Sequence, residues 1–185
     1  MIDLSQLRQG VAPPQAWASD IIAATMPRSD AVTDIAVLVT QTLQLTPIYL
    51  PDNCTITSIR MVTGATTAGT PLHWWYALYD STDGLHTGAL KLLGQTADFT
   101  TDAMAANTLF EKDLAAPVNI TAAGIYLVGA MTQATTPNSL WGKNVGGVEV
   151  VPTHNGTYDG SLTTAGPTTA ASFSAVVGVP LIEVI

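Results

Sequence analysis

The residues of this sequence with chemistry to offer are three histidines, one cysteine, fourteen acidic side chains and a cluster of aromatics. His73, His86 and His154 lie far apart, none in an H-x-x-x-H or H-E-x-x-H frame, so no helical zinc motif is encoded. Cys54 has no second thiol, which rules out an intrachain disulfide and leaves a small apolar side chain. Gly64 and Gly69 have the spacing of a phosphate loop, but Thr70 and Pro71 stand where Lys and Ser/Thr would hold phosphate and magnesium. A G-x-S-x-G nucleophile elbow is missing. Glycan cleavage needs two carboxylates placed across one bond. Asp80 and Asp83 occupy a turn-like "YDSTDG", and Asp98, Asp102, Glu111 and Asp113 read as strand ends or outward-facing positions. The expectation is a non-enzyme with no catalytic, cofactor or metal residues. For recognition, Trp141, Asn155, Tyr158 and Asp159 combine aromatic faces with hydrogen-bonding groups that suit a sugar ring. Ordinary loop roles compete for the same four residues.

Composition narrows the partners. The net charge is −8, and the six basic residues, Arg8, Arg28, Arg60, Lys91, Lys112 and Lys143, stand singly, so no basic stripe exists to neutralise phosphates. Nucleic acid and anionic membranes are therefore poor partners. Only 11% of residues are charged, against roughly 25% in an ordinary soluble domain. Thr, Ala, Gly and Ser fill the difference, a surface suited to sheet faces that are paired, stacked or docked. No run approaches the ~18 apolar residues of a membrane helix, and "MIDLSQLRQGVAPPQ" lacks a leader's apolar segment, so membrane insertion is not expected. The Asn-x-Ser/Thr triplets at Asn53, Asn119 and Asn155 read as by-products of Thr richness.

The elements that would position these residues fall into two regions. Residues 1–34 read as an arm or linker: a Pro pair, a short helix over Gln15–Ala24 with Trp17 and Ile21 as an i,i+4 pair, then Pro27. From 35 to 185 the chain breaks into short β-type runs, near 35–45, 47–50, 55–63, 73–80, 89–97, 108–115, 124–133, 139–142 and 174–184. The fold class is all-β, an antiparallel, jelly-roll-like sandwich preceded by a helix-bearing arm. Within "HWWYALYD", Trp74, Tyr76 and Leu78 share one face, while His73, Trp75, Ala77 and Tyr79 share the other. Both faces are apolar, as are those of "GIYLVGAMTQ", so each must be covered, by the sandwich core on one side and by the arm, a long loop or a second subunit on the other. Trp17, Ile21, Trp74 and Tyr76 are the candidate interface residues.

The segments "MPRSDA" (26–31), "TITSIRMVTGATTAGTP" (55–71), "WYALYD" (75–80), "LLGQTAD" (92–98), "AANTLFEKDLAAPVNITAAGIYLVGAM" (105–131) and the C-terminal "GSLTTAGPTTAASFSAVVGVPLIEVI" carry a pattern. It resembles the β-sandwich virion proteins of phages that infect actinobacteria, usually labelled minor tail proteins, over residues 26–185. The motifs are turn and packing residues and carry no catalytic assignment. Residues 1–25 stand ahead of the point where that pattern begins. The resemblance implies a virion structural protein on the particle exterior, made in the host cytoplasm and joined by its N-terminal arm to other tail or capsid proteins. A closed homo-oligomer is expected, a trimer among the options. Capsid decoration or a head fibre, and a module that binds cell-surface glycan, are the alternatives.

Overall fold

Runs of β-branched and aromatic side chains dictate strands, and the computed structural model is all-β with antiparallel sheets. It describes residues 20–35, 38–81, 90–144, 156–159, 161–167, 169–170, 174–175 and 178–185. In chain order the strands are β1 (Ala23–Ala24), β2 (Thr33–Asp34), β3 (Thr42–Leu50), β4 (Cys54–Val62), β5 (Gly69–Ser81), β6 (Leu90–Gln95) and β7 (Leu109–Ile120). They continue with β8 (Gly124–Thr136), β9 (Trp141–Asn144), β10 (Gly156–Asp159), β11 (Thr169–Ala170), β12 (Ser174–Ala175), β13 (Gly178–Pro180) and β14 (Ile182–Val184). A seven-stranded sheet runs β11-β6-β5-β8-β3-β10-β12, a four-stranded sheet β1-β14-β4-β7, and a small third sheet β13-β9-β2.

Period-two alternation along β5 and β8 produces two separate cores. Trp74, Tyr76 and Leu78 from β5 and Val128 from β8 face the four-stranded sheet, where Ile56, Ile59 and Met61 of β4 and Ile182 and Val184 of β14 meet them. On the opposite face, Trp75, Ala77 and Tyr79 pack with Leu43, Leu45, Leu127 and Met131, and Leu162 closes over them. Trp74, Trp75, Tyr76 and Tyr79 are all 0% exposed. Each aromatic of this size removes ~150–250 Å² from water, worth ~4–6 kcal/mol at ~25 cal/mol per Å². Gly129, paired with Leu45 and Ala77, lets β8 lie tightly against β3, because an added Cβ would run into the Gln44 backbone carbonyl.

Several expectations are corrected. Ala23 and Ala24, placed at the end of an N-terminal helix, form β1 on the edge of β14, with the Ile22 and Thr25 amides donating to the Val184 and Ile182 carbonyls. A helix of two or three turns is marginal alone, whereas the edge of the C-terminal strand offers ready acceptors. Residues 15–19 lie outside the described residues. A single 3-10 turn, Arg28–Asp30, is the one helical piece among them. The strands read near 35–45 and 47–50 are one strand that passes through Pro47. Pro47 lies beyond Leu45, the last residue of β3 laddered to β10, so among the described residues β3 has a partner there on one side only and a proline costs no hydrogen bond. "TTDAMAAN" holds no helical turn. Its Met104, 1% exposed, plugs the first core.

Tyr76 makes the fold sensitive to alkali. Its hydroxyl is buried without a hydrogen-bond partner, and burial pushes the phenol far above its ordinary value. A raised native pKa keeps stability intact below the unfolded value of about 10 and removes it above, since only the unfolded chain then releases the proton, by ~1.4 kcal/mol per pH unit. Urea melts of Tyr76→Phe should show a flatter decline than wild type above about pH 10. At pH 7 the variant should be at least as stable, because it discards an unsatisfied hydroxyl. Equal alkaline slopes would contradict the assignment.

Candidate functional site

The densest charge among the described residues forms one row across the outer face of the four-stranded sheet. Register places Glu183 of β14 opposite Arg60 of β4, and Arg60 opposite Glu111 of β7. Because Ile59 and Met61 point into the core, Arg60 between them must point out. Arg60 Nη2 donates to Glu111 at 2.6 Å and to Asp20 at 3.3 Å, and Nη1 reaches Glu183 at 3.5 Å. Arg28 grips the same Glu183 through two donors, at 2.5 and 2.7 Å. Glu183 is only 2% exposed and Arg60 10%. The hydrogen bond to Glu183 raises the Arg28 guanidinium above its ordinary value, and that to Glu111 does the same for Arg60. Asp20 and Arg28 come from the N-terminal segment, so the row clamps that segment onto the sheet. It contains two permanent cations and no base or nucleophile poised for transfer. Its chemistry is adhesion.

A second constellation lies on the far face of the seven-stranded sheet, where residues 161–167 cross the second core. Trp75 donates its indole N–H to the Thr163 carbonyl at 2.7 Å, Tyr79 its hydroxyl to Pro167 at 3.2 Å, and Gln95 its amide to Thr164 at 3.1 Å. The Gly166 amide donates to Gln95 Oε1 at 2.6 Å. Residues 161–167 of the same chain therefore cover the second face of "HWWYALYD". Nearer the start of β5, His73 Nδ1 lies 2.6 Å from Asp98 Oδ2, which fixes the imidazole. Among the described residues no serine or cysteine joins that pair, and no three metal-ligating side chains converge.

The described sequence-derived site residues fall on different elements. Trp141 is half-buried in β9 and donates its indole N–H to the Ala31 carbonyl at 2.8 Å, so its polar edge serves the chain's own packing. Tyr158 and Asp159 belong to β10, in register with Leu43 and Thr42, and Asn155 lies outside the described residues. Trp74 and Tyr76, expected at a subunit interface, have no surface to offer one. This is corrected by the sandwich itself: their side of β5 is the inter-sheet core. Ile21 is half-buried beside the clamped segment, and Trp17 lies outside the described residues. Among the carboxylates, Asp80 faces Lys91 across the ladder, Asp102 lends its backbone carbonyl to the Trp74 indole, and Glu111 pairs with Arg60. Asp83, His86 and His154 lie outside the described residues.

Sequence reasoning missed Lys112. It shares the inward face of β7 with Leu114, and its ammonium sits 4.2 Å from the Phe99 ring centroid and 5.1 Å from that of Trp74. The signal was present: if Glu111 and Asp113 face outward, the Lys between them faces in. No protein-family model and no curated protein matches this chain.

Burial ranks the ion pairs. Glu183→Gln, which leaves Arg60 short of a charge in a nearly closed site, should cost roughly 3 kcal/mol in urea melts. Asp20→Ala, a half-exposed side chain whose partner Arg60 keeps Glu111 at 2.6 Å, should cost under ~1 kcal/mol. Equal losses would contradict this ranking.

Proposed function

We propose that this protein is a structural component on the exterior of a bacteriophage particle, most consistent with a minor tail protein, and that residues 1–19 attach it to other virion proteins. The observation that carries the reading is the clamp at residues 20–28: β1 is zipped to β14, the Thr25 hydroxyl donates to the Pro180 carbonyl at 2.7 Å, and Arg28 and Asp20 are ion-paired to the sheet. A tether that transmits load needs a firm root, and here it is a strand pairing reinforced by nearly buried charge. The motifs quoted above support the virion assignment, as does the sparsely charged, Thr-rich composition.

Both apolar faces of β5 are covered by the chain itself, so self-association falls to outer side chains such as Tyr49, 62% exposed, and Leu109, 51% exposed. Recognition of glycan through Trp141 is disfavoured, since its N–H is already committed to Ala31.

The clamp defines where to cut. Removing residues 1–19 keeps the clamp and should leave a folded domain that no longer enters particles. Removing residues 1–25 also strips β1 and Asp20 and should lower stability. Normal incorporation of the shorter deletion into purified particles would overturn the attachment role.

A further inference from the structure

β7 is an edge strand of the four-stranded sheet, and the phase of its hydrogen bonds can be read from β4. Ser58 exchanges both of its main-chain bonds with Ile185, at 3.1 Å each, so Asp113, opposite Ser58 on the other side, turns its N–H and C=O away from β4. At the far end the Thr63 amide donates to the Thr108 carbonyl at 3.0 Å, which gives the same phase. Leu109, Glu111 and Asp113 therefore each turn a donor and an acceptor outward. Among the described residues this side of β7 is bridged once, between Leu114 and Thr96. Beyond the bridge an open groove of about 490 Å³, lined by Ala97, Phe99 and residues 111–115, runs beside the edge. A row of free main-chain groups beside such a groove is a template for another strand.

We infer that this edge is guarded against pairing with β7 of a second copy, and that Lys112, Glu111 and Asp113 are the guard. Lys112 shares the inward face of β7 with Phe110 and Leu114, and its ammonium lies 4.2 Å from the centroid of the Phe99 ring in the groove wall. An inward-pointing cation on an edge strand is a known bar to strand addition. Two copies related by a two-fold axis pair antiparallel, and outward-turned residues must face one another, so the register moves in steps of two residues. Centred on Lys112, it sets Lys112 against Lys112 of the second copy and Glu111 against Asp113 of the second copy. Centred on Glu111 or on Asp113, it sets that carboxylate against its own copy. Like charges directly opposite are destabilising in all three. A register centred on Phe110 runs past the start of the strand at Leu109. Toward the other end residues 114–117 oppose only Thr57 of β4, and Pro117 has no N–H to give. The inference makes no use of residues 1–19, so the attachment role stands or falls apart from it.

The test removes the guard from the full-length protein. Lys112→Met keeps the contact with the Phe99 ring, Asp113→Asn is an exposed change, and the double variant should associate at concentrations where wild type keeps its sedimentation coefficient. In the associated state the Leu109 and Glu111 amides should exchange at least roughly tenfold more slowly than in wild type. Lys112→Met combined with Asp113→Pro removes the same charges and also the outward N–H at position 113, a change that edge strands tolerate. It should sediment as wild type does. Overturning results are a Lys112→Met, Asp113→Asn protein that sediments as wild type, association without protection of Leu109 and Glu111, or equal association of the proline variant.

Discussion

Trp74 and Trp75 are neighbours in the chain, and a strand sends neighbours to opposite sides. Neither side of β5 can then be left to water, because each carries aromatic surface worth several kcal/mol when covered. The rest of the architecture answers that constraint. The four-stranded sheet closes over Trp74, Tyr76 and Leu78, while residues 161–167 close over Trp75 and Tyr79. β5 and β8, paired along most of their length, sit between the two covers as the doubly buried centre.

The two covers are fastened differently. Inter-sheet packing is apolar and continuous, whereas the loop is held by hydrogen bonds from Trp75, Tyr79 and Gln95, with Leu162 as its apolar anchor. Gly166 is part of that fit, since an added Cβ would meet the Tyr79 hydroxyl and the Trp75 ring. On the outside of the four-stranded sheet, the row Glu183, Arg60 and Glu111 substitutes for a third apolar layer. Buried charge of this kind adds little net stability over packed hydrocarbon, but removing one partner is costly. It therefore fixes where the N-terminal segment lies more than how strongly the sheet holds together.

Much of this was legible in the residues. The two-faced pattern of "HWWYALYD" separated Trp74, Tyr76 and Leu78 from Trp75, Ala77 and Tyr79, as the two cores do, and most long strands fell where punctuation by Gly, Pro and Asn placed them. What escaped were elements whose partners lie far away in sequence. Ala23 pairs with Val184 and Thr33 with Gly142, and neither two-residue strand has a local signal strong enough to outweigh a helix-like or linker-like neighbourhood. The charged row was equally silent, because Asp20, Arg28, Arg60, Glu111 and Glu183 come from distant parts of the chain and only the pairing of β14, β4 and β7 and the docking of the N-terminal segment join them. The loop over Trp75 sits in a Gly/Thr-rich stretch where Leu162 is the sole large aliphatic among the described residues 161–167.

A domain that shelters its own oily strand is free to present its remaining surfaces, which is what a module displayed on a larger assembly requires. The central claim is that this shelter is supplied within one chain. Indole hydrogen exchange by NMR, at a concentration where sedimentation shows a monomer, tests it most directly. Strong protection of both the Trp74 and Trp75 Nε1 protons, the donors to Asp102 and Thr163, is the predicted result. A Trp75 proton that exchanges at the rate of free indole while Trp74 stays protected would contradict it.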